Sequence, residues 1–310
     1  MKRFPHITFT MMVVLGLANC AMPEAPARTA LVYGISIYDI SGGEGASGTN
    51  NLTYTDDDAR AMSSLLSYNG WTVKEGIANT QDPAESQDAT REAIEADISS
   101  LASAAPEGLV LFYYSGHGTE DYLGTTYIIP FGAIENQSDR ISAEELFEMF
   151  EDAGISNVII ILDSCNSGGF VYEGATVDAV PPVYGEHDNN GDIEYSWFVD
   201  SAGDAMRGYL SYSAEQGYVV LSAAGAGEFS WETSGHGIFT AAILSAGDTS
   251  EADLDGDGYL ATSELFAFCV SYIDSNWNEN NATTFSGGMY ADYLPHLSGT
   301  PREYALWATQ

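Results

Sequence analysis

Two short apolar runs, each breaking into small residues around one reactive side chain, constrain this chain more than anything else in it. Val158, Ile159, Ile160, Ile161 and Leu162 stand together, and four of the five are β-branched. Such a run predicts a strand buried on both faces, as in a parallel sheet. Asp163, Ser164, Cys165, Asn166, Ser167, Gly168 and Gly169 follow at once. A thiol kept only for packing would sit inside the apolar run, so Cys165, just beyond it, reads as a nucleophile held on a tight turn. The matching stretch lies upstream, where Leu109, Val110, Leu111, Phe112, Tyr113 and Tyr114 lead into Ser115, Gly116, His117 and Gly118. His117 supplies the base that a cysteine nucleophile needs. Its separation of 48 residues from Cys165 leaves room for the helical crossover that parallel strands require.

Around these runs strand and helix alternate. Residues 31–38 read as the first strand and 41–51 as a glycine-rich loop without the spacing or lysine of a phosphate loop. Asp56, Asp57 and Asp58 open a helix that runs to Tyr68, acids standing at the end the helix dipole favours. A short strand starts at residues 70–73, and a helix over 90–104 places Ile94, Ile98 and Leu101 on one face. Residues 127–130 read as extended. Ser142 and Glu145 form a capping box before Leu146, Phe147, Met149 and Phe150, in a helix ending at Gly154. Residues 218–222 resume the sheet, and helices follow over 238–244 and 265–273. The alternation predicts an α/β fold with a mostly parallel sheet. Residues 170–217 show no period and make a long insertion for a passive loop beside a nucleophile.

Tyr114-Ser115-Gly116-His117-Gly118 and Asp163-Ser164-Cys165-Asn166-Ser167-Gly168, in that order and spacing, resemble the caspase-like cysteine peptidases, and among them the bacterial metacaspase-like (orthocaspase) branch. The resemblance spans about residues 31–273 and implies a three-layer caspase-like sandwich. It also implies hydrolysis of protein or peptide bonds after Arg or Lys by a dyad of His117 and Cys165, with no cofactor for catalysis. The backbone amides of Gly118 and Cys165 are implied to face the oxyanion. Asp58, Ser115 and Asp163 are implied to hold the basic side chain of the substrate, a role for which paired carboxylates are chemically suited. Asp58 equally suits the first turn of a helix, and the two roles coexist. A clostripain- or gingipain-like peptidase of the same clan is the competing enzyme. A non-catalytic, calcium-stabilised binding protein on the same fold is the competing non-enzyme. Ser234-Gly235-His236-Gly237 repeats the histidine motif, but no apolar strand precedes it; His236 reads as a loop or helix-entry residue lining the cleft.

Residues 253–264 fit the twelve-residue calcium loop. Asp253, Asp255, Asp257, the Tyr259 carbonyl and Glu264 take the ligand positions, and Gly258 takes the turn. Calcium there is expected to stabilise rather than to switch, and a purely structural acidic turn is the alternative.

The formal net charge is −36, from 45 acidic and 9 basic residues. That argues against nucleic acid or an anionic membrane as a partner. The three cysteines, Cys20, Cys165 and Cys269, form no disulfide framework, and a bridge between the last two would abolish the nucleophile, so both are expected free. Lys2 and Arg3 precede an apolar stretch over 7–17 that is too short for a membrane span and reads as an export signal. Leu17-Ala18-Asn19-Cys20 resembles a lipoprotein signal with Cys20 as the acylated residue, which would leave a lipid anchor as the membrane attachment. Cleavage after Ala27 and an uncleaved cytoplasmic leader compete with it. The expected location is periplasmic or outer-envelope as a lipoprotein, or secreted. The expected divisions are a signal over 1–20, a tether over 21–30, the peptidase domain over 31–275 and an extension over 276–310. Arg207 is the only basic residue within 170–217 and precedes Gly208, which makes it the expected point of self-cleavage.

Overall fold

The computed structural model describes residues 27–38, 51–79, 85–104, 108–120, 125–134, 136–166, 217–223, 235–278, 293, 295–299 and 303–309. Strand β1 (Arg28–Ile35) leads to helix α1 (Thr55–Tyr68), β2 (Thr72–Ala78) and α2 (Arg91–Ala104). The histidine strand β3 (Leu109–Glu120) is followed by β4 (Thr126–Ile128), β5 (Ile141–Ser142) and α3 (Ala143–Asp152). The cysteine strand β6 (Asn157–Asn166) precedes β7 (Gly217–Ser222), α4 (Ile238–Gly247), β8 (Tyr259–Ala261) and α5 (Thr262–Ile273). Strands β9 (His296–Gly299) and β10 (Ala305–Ala308) close the chain.

The main sheet has the order β2-β1-β3-β6-β7-β9, with β4 and β5 continuing from β3. Strands β2, β1, β3, β6 and β7 are parallel, and β9 runs antiparallel to β7. The apolar runs hide a period of two that sorts their side chains between two cores. Leu31, Tyr33, Phe112, Tyr114, Ile160 and Leu162 meet Ile94 and Ile98 of α2 and Phe147 and Phe150 of α3. Val32, Leu111, Tyr113, Ile159 and Ile161 meet Met62 of α1, Phe239 and Ile243 of α4, and Leu265 of α5. Helices therefore cover both faces of a mostly parallel sheet: the alternation predicts the α/β sandwich, and the resemblance implies its three layers. Each fully buried aliphatic side chain contributes roughly 1.5–3 kcal/mol.

Local chemistry sets the element ends. The Ser36 hydroxyl, just past β1, accepts from the Asp56 amide at 3.1 Å, and Thr55 donates to the Ile35 carbonyl at 2.6 Å. These bonds sew the start of α1 to the end of β1. Helix α3 carries the expected capping box: Ser142 Oγ accepts from the Glu145 amide at 3.2 Å, and Glu145 Oε2 accepts from the Ser142 amide at 2.8 Å.

Several boundaries differ from expectation. Strand β1 starts at Arg28, inside the stretch expected to be tether, because Arg28 and Thr29 already pair with Leu109 and Val110. The Arg28 guanidinium donates to the Leu306 carbonyl at 3.3 Å and lies 5.8 Å from the Trp71 ring, so Arg28 is anchored rather than free. The tight turn expected at Cys165 is absent, and so is the strand end expected before His117. Both strands continue because their outer halves bond to one another as far as Gly118↔Asn166, and β4 covers the other side of β3 at Gly118↔Ile128. From the stretch set apart as a C-terminal extension come β9, β10 and the buried Leu306 and Trp307. Among the described residues no helix is long and apolar enough to cross a membrane.

Candidate active site

The register of β3 on β6 sets His117 opposite Cys165 and Ser115 opposite Asp163. Neighbouring strands lie about 4.8 Å apart, so the imidazole and thiol residues spring from adjacent backbone positions. Both sit toward the carboxyl ends of parallel strands, where open α/β sheets bind their ligands. Cys165 is described through its backbone. His117 is fully buried, and its ring packs on Tyr38 with centroids 4.4 Å apart and planes tilted by 49°. Its amide donates to the Tyr38 hydroxyl at 2.7 Å, and its carbonyl accepts from the Tyr114 hydroxyl at 2.8 Å. The two tyrosines pass so close to the strand that a Cβ on Gly116 would meet their hydroxyls at 2.5 and 2.6 Å. Glycine there lets them clamp the histidine from its own backbone.

Two residues back along both strands lies an acidic cluster. Asp58 comes from the first turn of α1 and Asp163 from β6, and they are only 1% and 4% exposed. Asp58 Oδ2 accepts from Ser115 Oγ at 2.9 Å, Oδ1 accepts the His236 Nδ1 bond at 2.9 Å, and the Gly237 amide lies 3.2 Å from each oxygen. Asp163 Oδ2 accepts from the Thr240 amide at 3.0 Å and from its hydroxyl at 2.6 Å. Tyr113 meets Thr240 Oγ1 at 2.6 Å. The threonine proton goes to the carboxylate, so the tyrosine donates, and Tyr113, Thr240 and Asp163 form a relay. Gly237 separates the acids: a Cβ there would overlap Asp163 Oδ2, at 2.9 Å from its Cγ and 3.1 Å from Asp58 Oδ2.

The electrostatics follow from this burial. Desolvation pushes the Asp58 carboxyl above its ordinary value, while the His236, Ser115 and Gly237 donors pull it back. Asp58 in turn raises His236, against partial burial of the ring. Tyr113 is pushed well up, first by burial and then by the charges of Asp58 and Asp163. Cys269 is free and fully buried, and burial raises its thiol, which leaves it protonated and a poor nucleophile.

The acidic loop lies elsewhere, between α4 and α5. The Asp253, Asp255 and Asp257 carboxylates each offer an oxygen, all within 4.8 Å of one another. Gly258 has φ +88°, as the sixth position of a calcium loop requires. Glu264 stands outside that trio: its carboxylate accepts from the amides of Leu254, Asp255 and Ala261 at 2.8, 3.1 and 2.9 Å. Tyr259 belongs to β8. Cys20 and Arg207 lie outside the described residues.

The expected residues thus come together in two groups, His117 with Cys165 and Asp58 with Ser115 and Asp163. His236 enters α4 as expected and joins the second group. Sequence reasoning missed Tyr38, Gly237 and Thr240. Tyr38 stands at the end of the expected first strand, with no signal of a role at the site. The other two lie just after His236, and nothing in their own neighbourhood points Gly237 to Asp58, 179 residues away, or Thr240 to Asp163, 77 residues away.

Comparison with known proteins bears on the fold and the family. A solved structure of a Geobacter sulfurreducens protein is similar to this chain at 19% identity and TM-score 0.53, over 89% of this chain and 95% of that one. That likeness concerns the fold. No curated protein matches. The family model of the caspase domain matches residues 27–261, which covers the histidine strand, the cysteine strand and the helix entry carrying His236. This chain belongs to the caspase-domain family of peptidases.

Proposed function

We propose that this protein is a cysteine endopeptidase that cuts peptide bonds after Arg or Lys. The observation that carries the reading is the double register of β3 on β6: His117 faces Cys165, and two residues earlier Ser115 faces Asp163, with Asp58 hydrogen-bonded to Ser115. The Cys165 thiolate adds to the carbonyl carbon, and the carbonyl π pair moves to oxygen beside the amides of Gly118 and Cys165. Collapse breaks the C–N bond while His117 delivers a proton to the leaving amine. Water then hydrolyses the thioester, returning the thiol and the new carboxylic acid. Two buried carboxylates repel each other in a poorly solvated site, and a guanidinium or ammonium entering beside them relieves that repulsion. An acidic substrate side chain would add to it.

The test uses fluorogenic peptides ending in Arg, Lys or Asp. Turnover of the first two by the wild type, and none by Cys165→Ala or His117→Ala, is the expected result. Rapid cleavage after Asp, or full activity in Cys165→Ala, would refute it. We read Arg207 as the self-cleavage point; its expected product, a fragment starting at Gly208, is looked for by intact mass against Cys165→Ala and Arg207→Ala. The trio of Asp253, Asp255 and Asp257 has the oxygen donors that calcium takes, so we assign the acidic loop a structural calcium and give it no step in catalysis.

A further inference from the structure

His236 is the repeated motif that the dyad leaves unused. It precedes α4, where the N-cap residue Gly237 bonds Asp58 and Thr240 of the first turn bonds Asp163. Its Nδ1 lies 2.9 Å from Asp58 Oδ1, and its side chain is 34% exposed against 1% for Asp58. One end of the imidazole therefore rests on a buried carboxylate while the ring reaches solvent. That is the position of a cation at the mouth of an acidic pocket. The charged groups facing it are Asp58 and Asp57 of α1 and Asp163 of β6; Tyr113 of β3 lies behind the two carboxylates, and Arg60 is turned to Asp56 and Asp57.

Resting on the Arg/Lys reading of this pocket, we infer that His236 is its resident counter-ion: protonated, the ring pairs with Asp58 and competes with the basic side chain of the substrate; neutral, it yields the carboxylate. The direction follows from linkage. Asp58 raises His236, so the ring keeps its proton to higher pH than an ordinary histidine. A cation that takes over Asp58 lowers the imidazole's proton affinity by the same factor that the proton lowers the cation's affinity. Cation binding therefore expels a proton. It weakens as pH falls through the pKa of His236, by at most about tenfold per pH unit, since one proton is exchanged. The pocket would then admit Arg and Lys poorly below the pKa of His236 and fully above it, independently of the protonation of the dyad.

Benzamidine, a small amidinium, tests this by calorimetry on the intact chain, without turnover. Wild type is expected to bind about tenfold or more weakly at pH 5.5 than at pH 8, within that one-proton limit. Buffers of different ionisation enthalpy should report release of up to one proton. In His236→Gln the affinities at the two pH values should agree within about twofold, because the amide still bonds Asp58 but does not titrate. Nuclear magnetic resonance of the wild-type imidazole, which does not depend on any variant folding, should show the His236 pKa falling when benzamidine is added. Equal wild-type affinity at both pH values would overturn the inference while leaving the pocket intact. Full pH dependence in His236→Gln would also overturn it and assign the effect to the Asp58 carboxyl. No benzamidine binding at any pH would remove the pocket reading itself, and the inference with it.

Discussion

Replacing Thr240 by Val keeps the shape of the side chain and removes one oxygen from the acidic cluster of Asp58 and Asp163. That oxygen donates to Asp163 Oδ2 at 2.6 Å and takes the Tyr113 hydroxyl at 2.6 Å. Tyr113, Asp163 and Thr240 are all buried, so water does not replace either bond. A hydrogen bond to a charged group contributes about 1.5–3 kcal/mol, and a buried hydroxyl left without a partner costs about 1–3 kcal/mol. Asp163 keeps the Thr240 amide at 3.0 Å and Tyr113 keeps Ser115 as a neighbouring donor, which limits the loss. The expected destabilisation is roughly 2–5 kcal/mol from these two effects. At about 2–4 °C per kcal/mol for a chain of this size, that is a fall in Tm of the order of 10 °C. Thr240→Ser is the control: it keeps the oxygen, loses one methyl group and should cost about 1 kcal/mol. Urea unfolding monitored by tryptophan fluorescence, with the slope m unchanged, gives both values. On Arg peptides Thr240→Val should raise KM more than it lowers kcat, since Asp163 would be less firmly aimed while the dyad is untouched. A cost below about 1 kcal/mol, or one no larger than that of Thr240→Ser, would show that the relay from Tyr113 through Thr240 to Asp163 does not hold the carboxylate.

Three further outcomes are expected. Gly237→Ala should weaken benzamidine binding and cost about 1–3 kcal/mol by overpacking, because its Cβ would drive Asp163 off Thr240; wild-type affinity in this variant would refute the close approach of α4 to the two acids. Ser142→Ala should cost about 0.5–2 kcal/mol in urea unfolding through loss of the α3 capping box, without changing substrate preference. Calorimetry should find one calcium bound to the wild type and none to Asp253→Ala with Asp257→Ala, and calcium should raise the Tm of the wild type alone; absence of binding to the wild type would leave the loop as a hydrogen-bonded acidic turn.

The pH dependence of stability has a definite sign. Asp58 raises His236, so that pairing stabilises the fold below the ordinary histidine pKa of about 6.5 and is lost as pH rises through the folded value. Burial raises Asp58, so its desolvation weighs against the fold at neutral pH and is relieved as pH falls through its own folded value. Both shifts favour the folded state in mild acid, the same range in which His236 closes the pocket. If the proposed pocket takes the basic side chain, its affinity and the stability of the fold change in opposite senses with pH. His236→Gln separates the two contributions, because its unfolding should lose the histidine part of the pH dependence and keep the carboxylate part.

Much of the fold was legible in the chain itself. Residues 158–162 and 109–114 are apolar without alternation, which only a strand covered on both sides tolerates, and both are central strands. The acids at 56–58, Ser142 with Glu145, and Gly154 mark helix ends by local hydrogen bonding, and the helices start and stop within a residue or two of them. The alternation of such elements is enough to require helices on both faces of a parallel sheet. His117 and Cys165 were legible as a pair because each stands just beyond one of these apolar runs.

The tertiary structure alone decided the rest. Register is a property of two strands together, and one residue of slip would have put Ser164 opposite His117 in place of Cys165. The continuation of β3 and β6 through His117 and Cys165 came from their mutual backbone bonding, which neither stretch encodes alone. Short strands such as β9 and β10 carry too few residues for a period, and they exist because β7 and β8 offer them an edge. Tyr38, Gly237 and Thr240 have ordinary local surroundings, and their roles arise only because α4 and the end of β1 are packed against β3 and β6. His236 shows the division most clearly: its motif repeats that of His117, yet one ring lies buried against Tyr38 and the other on Asp58. Local sequence determines which elements form, whereas the chemistry of a side chain is set by neighbours that only the packed chain brings to it.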